Sequence, residues 1–101
     1  MVRHIVLWKL TDTLDAQEKA TVIQSIQKGL EGLLGTIPGL TAIRVLTDAL
    51  PGATADLMLE TSFESEEALR AYSVHPAHLA VALANVRPYI QSRLSFDCRL
   101  P

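Results

Sequence analysis

Three histidines stand out as groups able to move a proton near neutral pH: His4, His75 and His78. An unperturbed imidazole titrates at about 6.5, which suits transfer in either direction at that pH. His78 offers the sharpest chemistry. A carboxylate on a facing strand, Asp97, would fix its tautomer and raise its basicity, giving an acid/base dyad in outline. The same pair could serve only to anchor a helix to the sheet. Tyr72, just ahead of a helix break, turns its hydroxyl inward or caps the sheet edge. His75 precedes Pro76, a position where a side chain often accepts the backbone donors of a restarting helix. His4 lies on a strand face expected to meet the helices, as a pocket wall or as a satisfied core histidine.

The remaining chemistry is thin. His75, His78 and Asp97 could ligate a metal in principle, but their spacing matches no recognised ligand motif, so no metal is expected. Cys98 alternates onto the face opposite Asp97 and reads as a small buried apolar group rather than a nucleophile. No glycine-rich phosphate loop, serine elbow or Cys/His cluster is present, so no cofactor is expected and the commoner catalytic classes are excluded. The net charge is −2, and the nine basic residues are spread along the chain, which argues against nucleic acid and anionic membranes as partners. With one cysteine and no signal-peptide pattern at the N-terminus, the cytoplasm is the expected compartment. No run approaches the roughly 18 apolar residues of a membrane span.

These residues need positioning. Val2, Ile5, Val6, Leu7 and Trp8 lie in an opening run apolar on both faces, as in a central strand, with His4, Val6 and Trp8 on one side. Asp15 followed by Glu18 is a capping-box variant that starts an amphipathic helix, apolar at Ile23, Ile26, Leu30, Leu33, Leu34 and Ile37, ending near Gly35. Leu40 to Thr47 and Leu57 to Phe63 read as strands of a hairpin, with Leu57, Leu59, Thr61 and Phe63 sharing a face. Ser65 caps a second helix to about Val74. Pro76 then forces a break and restart. The last strand, Arg93 to Leu100, alternates, with Leu94, Phe96, Cys98 and Leu100 opposite Arg93, Ser95, Asp97 and Arg99.

The order β-α-β-β-α-β over one domain, 1–101, predicts an α+β ferredoxin-like fold, a four-stranded antiparallel sheet with both helices on one face. The other face, carrying Ile5, Leu7, Leu94, Phe96 and Cys98, is left bare. A chain that is 49% hydrophobic and 101 residues long has apolar groups to spare, so a homodimer, sheet against sheet in an α+β barrel, is expected to cover that face.

Arg3-His4-Ile5-Val6-Leu7-Trp8-Lys9, Tyr72-Ser73-Val74-His75-Pro76-Ala77-His78 and Ser95-Phe96-Asp97 together resemble the stress-responsive dimeric α/β-barrel family, over nearly the whole chain. That resemblance implies a homodimer. Within the family the best-understood likeness is to the plant polyketide cyclase that makes olivetolic acid by cofactor-free aldol condensation. It implies His78 as general base, Tyr72 as the group holding the substrate carbonyl, and Asp97 as the partner orienting His78. Val6, Trp8, Leu59, His4 and His75 are expected to line the same cavity. Trp8 is bulkier than the family's aliphatic residue, and Arg93 and Ser95 replace apolar groups, so the substrate is expected to differ. Two functions follow: cyclisation or isomerisation of a small apolar carbonyl compound, or non-catalytic binding of a small ligand by the dimer.

Overall fold

In the computed structural model, which describes residues 1–101, β1 (Val2–Leu10) runs through the middle of the sheet, as its two-sided apolar pattern requires. The strand order is β2-β3-β1-β4, with β2 at Leu40–Leu46, β3 at Leu57–Phe63 and β4 at Ile90–Arg99. Every neighbouring pair is antiparallel. Alternation sends Val2, Val6, Trp8 and Leu10 of β1 and Leu57, Leu59 and Phe63 of β3 into one core beneath the helices. Thr61 joins them without cost because its hydroxyl donates to the His4 carbonyl at 2.7 Å.

The helix α1 (Ala16–Glu31) opens with the expected box: Asp15 accepts from the Glu18 amide at 2.8 Å, and the Glu18 carboxylate accepts from the Asp15 amide at 3.1 Å. It buries Val22, Ile26 and Leu30. It ends at Glu31, short of Gly35, so Leu34 falls in the following turn and is exposed rather than packed. Its last turns also close the outer edge of the sheet. Gln27 donates to the Val45 carbonyl and Glu31 accepts from the Val45 amide, satisfying backbone groups that an edge strand leaves free. Gly39 is required where β2 begins: its φ is 82°, and a Cβ there would stand 2.5 Å from the Ala68 Cβ.

Ser65 caps α2 (Glu66–Val74) by accepting from the Ala68 amide. At His75 the backbone turns extended, ψ 133°, and Pro76 opens α3 (Pro76–Val81), which is the break and restart predicted from the proline. A π-helical turn, Ala82–Val86, and a 3-10 turn, Arg87–Tyr89, then lead into β4 three residues earlier than its expected start at Arg93. Asn85 ties this segment to α1 by donating to the Ser25 carbonyl and hydroxyl.

Helices pack over β1, β2 and β3 and hardly at all over β4, which buries no residue. The opposite face is bare, as expected, with Leu94 and Phe96 respectively 68% and 65% exposed. No helix is long and apolar enough to cross a membrane.

Candidate active site

Because the helices stop short of β4, a cavity of about 690 Å³ remains between β1 and β4 on one side and α2, α3 and the π-helical turn on the other. That volume suits a small organic ligand. Val6, Trp8, Leu30 and Leu59 make its apolar floor, and Ala82, Val86 and Ile90 an apolar wall. His4, Tyr72, His78 and Asp97 complete its lining. Seven of the eight predicted site residues therefore meet in one cavity. His75 does not line it: its Nδ1 accepts from the Ala77 amide at 3.1 Å and caps α3, because the pre-proline backbone aims the ring at the new helix.

Asp97 is in place, but its partner differs from the expectation. Its Oδ1 bonds Nδ1 of His4, not of His78. The reason is strand register: His4 and Asp97 are directly opposed on β1 and β4, and opposed residues share a face with their Cβ atoms about 5 Å apart. His78 approaches from α3, across the cavity. Bonded through Nδ1, the His4 imidazole has a fixed orientation and keeps Nε2 as its remaining nitrogen.

Tyr72 is 1% exposed, with its ring 4.2 Å from that of His78 and 5.0 Å from that of Phe63, centroid to centroid. Its hydroxyl is buried without a hydrogen-bond partner. Burial pushes its pKa up to about 12, against the pull of the Arg93 guanidinium, so the phenol stays a neutral donor. His78 shifts opposite to expectation: burial lowers its pKa, and His4, Arg87 and Arg93 push the same way. The Ser73 backbone opposes them, and Nδ1 of the ring is buried without a hydrogen-bond partner. His78 is thus a neutral imidazole at neutral pH. No three His, Cys, Asp or Glu side chains converge to hold a metal ion.

Three further polar lining residues were not anticipated: Ser73, Arg70 and Arg87. Arg70 reaches the cavity from α2, two residues before Tyr72, and Arg87 follows a π-helical turn, whose extra residue defeats a 3.6-residue reading. Arg93 and Ser95 share the Asp97 face of β4, as alternation predicts.

The family model of the stress-responsive A/B barrel domain matches residues 2–100. No curated protein is found to match the sequence. A dimeric protein of unknown function and ferredoxin-like fold from Bacteroides fragilis is 30% identical, with TM-score 0.91, covering 98% of this chain and 95% of its own. A dimeric ferredoxin-like protein of unknown function from Thermobifida fusca is 28% identical, with TM-score 0.77 and coverage of 98% and 90%. The hydroxynitrile lyase of Passiflora edulis, 18% identical with TM-score 0.74 and coverage of 99% and 93%, shares the fold.

Proposed function

We propose that this chain, which belongs to the stress-responsive A/B barrel domain family, is a homodimer whose cavity performs cofactor-free acid/base chemistry on a small, largely apolar carbonyl compound. The observation that carries the reading is the buried, unpartnered Tyr72 hydroxyl beside a neutral His78 in an apolar-floored cavity. A donor left unsatisfied in a protein interior costs about 1–3 kcal/mol, which a ligand oxygen would offset. His78 takes the proton from the carbon next to the carbonyl, and the electron pair moves onto the carbonyl oxygen, where the Tyr72 hydroxyl donates to it. In an aldol cyclisation the enolate carbon then attacks a second carbonyl of the same molecule. The new alkoxide recovers the proton from the His78 imidazolium. His4, held by Asp97, fixes the other side of the substrate.

Exchange of the α-hydrogens of 4-phenyl-2-butanone in deuterium oxide, followed by proton NMR, tests this. Wild type should exceed the buffer rate and His78→Ala should fall to it; equal rates for the two proteins sink the proposal. A second reading has its own support, since Asp97 is bonded to His4 and leaves His78 without a carboxylate to orient it. In that reading the homodimer binds the ketone without exchanging it.

A further inference from the structure

Arg70, Arg87 and Arg93 all line the cavity, and all three are exposed, which places them at its mouth. Arg87 and Arg93 lie within ion-pair distance of no carboxylate. Arg70 has only a loose contact, 3.8 Å, with Glu66, which is shared with Arg99. The one carboxylate in the cavity, Asp97, is engaged by His4. A chain of net charge −2 thus concentrates uncompensated positive charge at one opening. We propose that the ligand is an amphiphile, its apolar body over Val6, Trp8 and Leu59 and an oxyanion head, carboxylate or phosphate, held by Arg87 and Arg93. This deepens the reading of the cavity as a ligand site and rests on it.

Guanidinium groups match both heads, since their planar forks donate paired hydrogen bonds to carboxylate and phosphate oxygens. Their field also reaches the interior: both act on His78, and Arg93 acts on Tyr72.

Trp8 is the only tryptophan and lies in the cavity floor, so its fluorescence reports occupancy. Three probes of one body, 4-phenyl-2-butanone, 4-phenylbutyrate and 4-phenylbutyl phosphate, are titrated into wild type, Arg87→Gln/Arg93→Gln and Lys28→Gln. Lys28 is exposed on α1, away from both the cavity lining and the bare sheet face, and serves as the charge control. At least one anion should bind wild type tenfold or more tightly than the ketone, and the better anion identifies the head. The double variant should lose that advantage while binding the ketone as before, and Lys28→Gln should keep it. Equal affinity for all three probes, or an unchanged preference in the double variant, overturns the oxyanion head alone. Failure of every probe to bind overturns the ligand-site reading with it.

Discussion

Burial tunes Tyr72 and His78 in ways the residue types alone do not reveal. The Tyr72 phenol, lifted from 10.0 to about 12, is neutral in the folded chain at pH values where the unfolded chain ionises. Its contribution to stability is therefore full below about pH 10 and lost as pH rises to about 12, a loss of about 2–3 kcal/mol. Tyr72→Phe should flatten that alkaline decline, read from urea unfolding midpoints between pH 9 and 12; an unaltered decline would place the phenol in solvent. The lowered His78 pKa has the opposite sense, since the unfolded imidazole takes the proton first. Its share of stability is present above about pH 6.5 and is lost as pH falls from there to the folded value. Asp97→Asn should not shift the His78 NMR titration toward acid, because no carboxylate holds that ring, and should change the nitrogen shifts that report the His4 tautomer. An acid shift of the His78 curve would restore the dyad expected from sequence.

Local rules made the elements legible. The Asp15 and Ser65 caps, the Pro76 restart and the strand alternation each follow from nearest-neighbour chemistry, and each is present where that chemistry puts it. What local rules could not supply was partner choice. Which histidine meets Asp97 depends on the register of strands some ninety residues apart, and the place of Arg87 depends on a π-helical turn with no clear sequence signal. His75 carries the cap of α3 through its Nδ1. His75→Ala should cost about 1 kcal/mol of stability by thermal melt and leave ligand binding intact, while His75→Asn should recover most of that loss. A loss of binding without a loss of stability would put His75 back in the cavity. At the start of β2, Gly39→Ala should be more damaging, about 2 kcal/mol or more, because the positive φ and the Ala68 contact penalise a Cβ together. Native-like melting of that variant would mean the turn is free to rearrange.

On the scale of the whole molecule, β4 is the strand on which site and assembly meet. Its alternation sends Arg93, Ser95 and Asp97 to the cavity and Leu94, Phe96 and Cys98 to the bare face, and in a single chain none of its residues is buried. A strand held on one edge only, by β1, and scarcely covered by any helix is open to local fraying. Packing of a second copy against Leu94 and Phe96 would fix it from behind, and with it the Asp97 carboxylate that orients His4. The structural neighbours from Bacteroides fragilis and Thermobifida fusca are dimeric, which supports a second copy of this chain. Phe96→Asp places a charge in the contact, at a cost of several kcal/mol if it is buried unpaired, and should convert dimer to monomer in sedimentation at micromolar concentration. The same substitution should weaken binding to the cavity although Phe96 does not line it, and should speed amide exchange along β4. Phe96→Leu keeps the face apolar and should preserve all three properties. A wild-type monomer at micromolar concentration would remove the dimer. A monomeric Phe96→Asp that still binds with full affinity would show that β4 holds the site without a partner.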